Sequence, residues 1–108
     1  MDTQLKRGLL DVCVLAALVR GDSYGYQIIK DLSPYVTMSE STLYPILRRL
    51  EAAGSLRVYS AEFGGRLRKY YSITPGGREK LAEFMQEWKS IMSIYDFIEN
   101  EVSTGERD

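Results

Sequence analysis

The chain has 108 residues, of which 44% are hydrophobic and 27% charged, with a formal net charge of −1. This composition is typical of one small globular domain. The single cysteine excludes an internal disulfide, and the lack of histidine excludes the usual zinc sites and His-dependent catalytic pairs. No apolar run is long enough to cross a bilayer and the first residues lack a secretory signal pattern, so we expect a cytoplasmic protein.

Charge is distributed unevenly along the sequence. Residues 1–38 contain four acidic and four basic residues, which cancel. Residues 39–74 carry a net charge of +3, whereas residues 75–108 carry −4. The middle of the chain therefore has a local positive charge that is typical of nucleic-acid binding, although the chain as a whole is slightly acidic.

The first predicted helix covers residues 5–19, LKRGLLDVCVLAALV. After Arg7 it is apolar on nearly every side, which indicates a helix buried by more than one neighbour. Cys13 lies in this run, and we expect it to be a small core residue; the alternative is a redox or ligand-sensing thiol.

A second, shorter helix is predicted over residues 24–32. Ser23 follows a Gly-Asp turn and is the expected N-cap, and Pro34 ends the helix. Tyr24 and Tyr26 at its start are expected to pack their rings on the first helix and to leave their hydroxyls at the surface; the alternative is base stacking.

The third predicted helix begins after Ser39, a favourable N-cap, and ends at Gly54, which can adopt a left-handed conformation. Following a helix and a turn, it has the position of the second helix of a helix-turn-helix, which is available to a DNA groove. Its apolar residues recur at i, i+3, i+4 and i+7 and predict one buried face, formed by Leu43, Ile46, Leu47 and Leu50. The other faces carry Ser41, Thr42, Tyr44, Pro45, Arg48 and Arg49.

After Gly54 the apolar period changes to two, which predicts two strands joined by a turn at Gly64 and Gly65. Three basic residues lie close to this turn: Arg66, Arg68 and Lys69. A basic hairpin tip beside a helix with exposed arginines indicates a nucleic-acid reader.

The last predicted helix opens with Thr74 as N-cap and Pro75 in its first turn. Its apolar residues repeat every seven positions, in three lines: Leu81, Trp88, Tyr95 and Val102; Phe84, Ile91 and Ile98; Met85 and Met92. So wide a stripe is expected to pack against the first and last helices of a second copy; folding back on its own domain is the alternative. We therefore predict a DNA-binding domain over residues 1–74, a dimerisation helix over 75–100 and a disordered tail over 101–108.

Three segments resemble one known family: YGYQII from Tyr24, STLYPILRRLEAAG from Ser41 and GGRLRKYYSITPGGREKL from Gly64. They are similar to the PadR family of winged-helix transcriptional regulators, and the single C-terminal helix is similar to its short subfamily. The resemblance implies a mainly α fold with a small β-hairpin, a winged helix-turn-helix. It also implies a homodimer that binds a partly palindromic operator as double-stranded DNA, usually as a repressor released by a small molecule or a stress signal.

Carried onto this sequence, the resemblance implies that the third helix meets the major groove or its flanking phosphates through Ser41, Thr42, Tyr44, Pro45 and Arg48. Arg49 is added as a second basic residue of the same helix. The hairpin is implied to contact the DNA backbone or minor groove through Arg66, Arg68 and Lys69. Of the aromatic pair Tyr70 and Tyr71, strand alternation turns only one outward, and Tyr70 is taken as the DNA-binding one.

The candidate effector and dimer-interface residues are Leu81, Phe84, Met85, Trp88, Ile91, Met92 and Tyr95. Trp88 lies midway along this stripe and is the candidate for sensing a small planar apolar compound; the alternative is an ordinary dimer core. No cofactor, metal or membrane is expected. An enzyme is disfavoured because carboxylates are scattered and no nucleophile lies in a recognisable setting. A winged-helix protein-interaction module without an operator is the competing hypothesis.

Overall fold

The computed structural model describes residues 2–107, and the side chains of residues 2–105. It forms a winged helix-turn-helix followed by a long helix. In chain order the elements are α1 (Thr3–Ala17), α2 (Gly25–Leu32), α3 (Glu40–Ala52), β1 (Leu56–Phe63), β2 (Arg66–Ile73) and α4 (Pro75–Arg107). No helix among these residues is long and apolar enough to span a membrane. The fold is mainly α with one antiparallel hairpin, as the sequence predicts.

The core lies where α1, α2, α3 and the base of the hairpin meet. All four predicted apolar residues of α3 are buried, as the period of 3.6 residues requires. Cys13 is half-buried, and burial raises the pKa of its thiol. This setting fits a core residue better than a reactive thiolate. The buried cluster comprises Val14, Leu15, Leu18, Ile28, Leu32, Met38, Leu43, Ile46, Leu47, Leu50, Leu56 and Tyr71.

Both predicted ends of α3 are confirmed. The Ser39 hydroxyl accepts a hydrogen bond from the Thr42 N–H at 3.3 Å. At the other end Gly54 has φ +78°, and the Ser55 N–H donates back to the Leu50 carbonyl at 2.8 Å. This is a Schellman ending, which turns the chain directly into β1. Helix and hairpin are therefore joined without a loose loop.

The hairpin pairs β1 with β2 from Leu56↔Ile73 to Phe63↔Arg66. Gly64 and Gly65 both have positive φ, as a two-residue hairpin turn of this type requires. Ser23 adds a single residue of a third strand: its N–H and carbonyl exchange hydrogen bonds with Tyr71, at 3.1 and 2.7 Å.

The prediction that Ser23 caps α2 is therefore wrong. Tyr24 occupies the N-cap position, and no side chain caps the helix. Pairing with Tyr71 holds Ser23 in the sheet, and Tyr24 packs on the hairpin rather than on α1, as described below. The hairpin is thereby attached to the start of α2.

One residue, Thr74, separates β2 from α4. Its hydroxyl accepts a hydrogen bond from the Gly77 N–H at 3.1 Å and donates one to the Gly54 carbonyl at 2.6 Å, so the predicted N-cap is confirmed. Gly77 is buried against Ser55: a Cβ at this position would lie 2.2 Å from the Ser55 carbonyl oxygen. The first turn of α4 is thus packed against the α3–β1 turn.

Helix α4 continues beyond Asn100 to Arg107, so the prediction of a disordered tail from residue 101 is wrong for 101–107. Residue 108 lies outside the described residues, as does residue 1 of the predicted first domain. The segment EVSTGER contains no proline, and Gly105 costs a helix only about 1 kcal/mol. Val102 also continues the apolar line of Tyr95.

Candidate nucleic-acid interface

The outer surface of α3 forms a ridge of exposed side chains. Residues on a helix are separated by 100°, so Ser41, Pro45 and Arg48 share the face opposite the buried leucines. Ser39, Ser41 and Thr42 group their hydroxyls at the start of the helix, with oxygen separations of 2.9 and 3.2 Å from Ser39. The ridge therefore presents hydroxyl donors and one guanidinium without a protein partner among the described residues.

Arg49 lies on a different side of α3 from Arg48. Its Nη2 is 2.5 Å from Oδ1 of Asp11, a buried carboxylate of α1. A buried carboxylate needs such a partner, because removing an unpaired charge from water is costly. Arg49 thus joins α3 to α1, whereas Arg48 on the ridge has no ion-pair partner among residues 2–105. Because the two arginines are adjacent in the sequence, both are predicted to bind DNA. Asp11 is 38 positions from Arg49, so no local pattern indicates that they pair.

Tyr44 points from α3 toward the start of α2. A Cβ on Gly25 would lie 2.7 Å from the Tyr44 hydroxyl oxygen, so the absence of a side chain at Gly25 lets the ring lie there. Tyr44 and Lys69 line a groove of about 590 Å³ between α3, the start of α2 and β2. The hydroxyl of Tyr44 and the ammonium of Lys69 therefore border one surface, next to the ridge.

The hairpin holds Arg68 between two aromatic rings. The guanidinium carbon lies 3.9 Å from the centre of the Tyr24 ring and 4.4 Å from that of Phe63. Contact with the two rings leaves N–H donors of the guanidinium for an acceptor such as a phosphate. Phe63 was not among the predicted site residues; its signal was its place opposite Arg66 in the turn of the hairpin.

Tyr70 belongs to the same aromatic group. Its ring stacks on that of Tyr59, its cross-strand neighbour, with centroids 5.7 Å apart, and meets the edge of Tyr24 at 5.8 Å. Tyr71 is buried, so only one tyrosine of the pair faces outward, as alternation predicts. Tyr70 is half-buried among rings, and the cations close to the hairpin turn are Arg66, Arg68 and Lys69.

A hydrogen bond ties this aromatic group to the loop before α2. The Tyr59 hydroxyl donates to Oδ2 of Asp22 at 2.5 Å. This hydrogen bond, together with one from Ser72, lowers the pKa of the Asp22 carboxyl, and the same contact raises the pKa of Tyr59. With the Ser23–Tyr71 pairing, it fixes the hairpin relative to α2 and hence to α3.

The predicted interface residues of α4 fall into two groups. Leu81 packs on the domain's own core, while Phe84 and Trp88 stack with centroids 5.7 Å apart beside α1. Between α1 and α4 lies a groove of about 320 Å³ with mostly apolar walls, including Leu5, Leu9, Val12, Phe84, Trp88 and Ile91. The second group is exposed: Met85, Ile91, Met92 and Tyr95, together with Ile98 and Val102. No group of residues in the described part of the chain could hold a metal ion.

Residues 14–83, which include α3 and the hairpin, match the family of PadR-like transcriptional regulators. The chain belongs to this family. PadR-like proteins are transcriptional regulators, so the chain is a regulator and not an enzyme.

Individual relatives agree with the family match. Transcriptional regulator Rv3488 of Mycobacterium tuberculosis is 33% identical over 81 residues, which cover 74% of this chain and 76% of that protein. The structure of a PadR-like transcription factor from Bacteroides fragilis is 32% identical, with a TM-score of 0.80, and the match covers 89% of this chain and 95% of that one.

A third relative shows the PadR fold on DNA. The structure of Bacillus subtilis PadR in complex with operator DNA has a TM-score of 0.65 to this chain. It is 23% identical, and the match covers 70% of this chain and 46% of that one. This likeness concerns the fold.

Proposed function

We propose that this PadR-like regulator acts in the cytoplasm as a homodimer that binds a palindromic operator in double-stranded DNA and represses transcription until a small molecule releases it. The observation that supports DNA binding is the exposed ridge of α3 with the cationic hairpin beside it. A B-DNA major groove admits an α-helix, and two copies would reach half-sites about 34 Å apart. The complex of Bacillus subtilis PadR with operator DNA supports this reading for a chain of the same fold.

The positions of the cations support different proposed roles for them. Arg48 stands on the ridge and is placed to hydrogen-bond a guanine, whereas Lys69 at the groove beside it is placed to meet a phosphate. Arg49 is committed to Asp11 and contributes by holding α3 in place.

Replacing Lys69 by alanine is expected to flatten the salt dependence of DNA binding without changing sequence preference. Each lost phosphate contact removes roughly 0.9 from the slope of log K against log salt, and a dimer loses two contacts.

Arg48→Ala is expected instead to relax preference at one base position, worth about 1–3 kcal/mol.

The measurement is a titration of labelled DNA from upstream of the chain's own gene, against random competitor, over a series of salt concentrations. Lys89→Ala on α4 is the matched control and should leave the slope unchanged. Wild-type protein that binds this fragment and other promoter fragments no better than random DNA would contradict the operator proposal and favour a protein-interaction module.

The groove between α1 and α4 is the proposed effector site. Its mostly apolar walls and the stacked pair of Phe84 and Trp88 suit a flat aromatic compound, which can lie against an indole face. A compound bound there would alter the DNA-binding geometry only by binding one α1–α4 arrangement better than another.

A planar probe such as 9-aminoacridine is expected to quench the fluorescence of Trp88, the single tryptophan, in the absence of DNA. Gly8 lines the same groove, and a Cβ there meets nothing within 4 Å, so Gly8→Leu would fill the space and should abolish the quenching. Equal quenching of wild type and Gly8→Leu would show that the probe binds elsewhere.

A further inference from the structure

A second group of cations lies beside α3, on the side away from the hairpin. The first two turns of α1 approach the start of α3 there and enclose a groove of about 310 Å³. Its walls include Thr3, Lys6 and Arg7 of α1, and Ser41, Thr42 and Pro45 of α3.

The two sides of α3 are distinguished by the residues that border each groove. Glu40 and Tyr44 border the groove toward the hairpin, whereas Thr42 and Arg49 border the groove toward α1. The ridge of Ser41, Pro45 and Arg48 lies between them. A helix inserted in a major groove about 12 Å wide has a phosphodiester strand on each side. If the hairpin meets one strand, the start of α1 stands where the other strand passes.

Lys6 and Arg7 are exposed, and no acidic side chain of residues 2–105 lies within ion-pair distance of either. In the sequence they are cancelled by the acids of residues 1–38. In the structure Asp11 is paired with Arg49, and Asp2 accepts a hydrogen bond from the Leu5 N–H at the helix start. Asp11 is therefore not available to offset Lys6 and Arg7, whereas Asp2 keeps its negative charge at the start of the helix.

We propose that Lys6 and Arg7 form a second phosphate-binding arm, which grips the DNA strand on the opposite side of α3 from the hairpin, assisted by the hydroxyls of Ser41 and Thr42. The ligand is the sugar-phosphate backbone, so the arm contributes affinity and orientation but no sequence preference. This inference rests on the proposed DNA binding. It assigns to α1 a role besides packing.

The test is the double variant Lys6→Gln/Arg7→Gln, compared with wild type in DNA titrations over a series of salt concentrations. A dimer that loses two contacts on each protomer is expected to lose about 3 to 4 from the slope of log K against log salt. The ratio of specific to random binding should stay as in wild type. The charge-conserving variant Lys6→Arg/Arg7→Lys should restore the wild-type slope, a rescue that a purely structural role would not predict.

The matched control is Arg20→Gln/Lys89→Gln, which removes the same two residue types and the same charge from the turn after α1 and from α4. An equal reduction of the slope in both double variants would overturn the arm, because net charge alone would then explain the effect. An unchanged slope with a weakened dimer in sedimentation would also overturn it, because the two side chains would then lie between protomers.

Failure of the proposed function gives a different result. If wild-type protein shows no salt-dependent binding to any DNA, both the proposed function and the arm are excluded. If wild-type protein binds DNA with a salt-dependent affinity and the Lys6→Gln/Arg7→Gln variant has the same slope, the arm alone is excluded.

Discussion

Replacing Ile98 by glutamate is expected to convert the proposed dimer to monomers and to lower its association constant by about a thousandfold. Ile98 lies on the part of α4 that stands free of the domain, and half of its side chain is exposed in the single chain. Burial of an isoleucine contributes about 1.5–3 kcal/mol, and a two-fold axis places the substitution twice in the interface. A loss of about 4 kcal/mol corresponds to three orders of magnitude.

Sedimentation at several protein concentrations measures this effect directly. Ser93→Glu is the matched control, because it adds the same charge five positions away on the polar side of α4 and should leave the dimer intact. DNA affinity should fall together with dimerisation in Ile98→Glu, because a monomer holds one half-site without the high effective concentration of a second domain. An Ile98→Glu protein that sediments as wild type does would exclude this face of α4 as the interface.

Gly77→Ala is expected to destabilise the domain by about 3 kcal/mol, the upper end of the usual cost of overpacking. A methyl group at Gly77 would lie 2.2 Å from the Ser55 carbonyl oxygen and 2.7 Å from Cγ1 of Ile73. The Ser55 oxygen belongs to the backbone and cannot rotate away. The first turn of α4 must therefore separate from the α3–β1 turn. For a domain of this size the melting temperature should fall by roughly 12–20 °C.

Gly105→Ala provides the comparison on the same helix. A Cβ at Gly105 meets nothing within 4 Å, so the substitution should leave stability unchanged or raise it by up to about 1 kcal/mol, since alanine favours the helix. Thermal melts of both variants at one protein concentration measure the difference. If Gly77→Ala melts within about two degrees of wild type, the close contact is not a constraint in solution.

Local patterns predicted most of the fold. The 3.6-residue period located the buried face of α3, and the Ser39 and Gly54 signals located its ends, because each depends on residues a few positions apart. The hairpin followed from the period of two and its glycine turn. The end of α4 was missed because a short polar segment resembles a frayed tail, although nothing in it stops a helix.

The candidate site was predicted less completely, because its geometry depends on residues distant in sequence. Ser23 has the composition of an N-cap, but Tyr71, 48 positions later, draws it into the sheet. Arg48 and Arg49 are equivalent in the sequence, and only the position of Asp11 separates their roles. Lys6 and Arg7 are not predicted as DNA-binding residues for a related reason. A sum of charges along the chain contains no information about which charges are near each other.

Thr74 is the one residue between the last strand of the hairpin and a helix that is about 50 Å long. The hydrogen bonds of Thr74 to Gly54 and Gly77 make this junction rigid. A tilt of α4 therefore rotates the whole DNA-reading domain by the same angle. In a dimer joined through α4, the helix would act as a lever whose angle sets the spacing of the two domains. Linkage then works in both directions: an operator with altered half-site spacing would change the affinity of the groove beside Trp88 for its ligand by the same factor by which that ligand changes affinity for the operator.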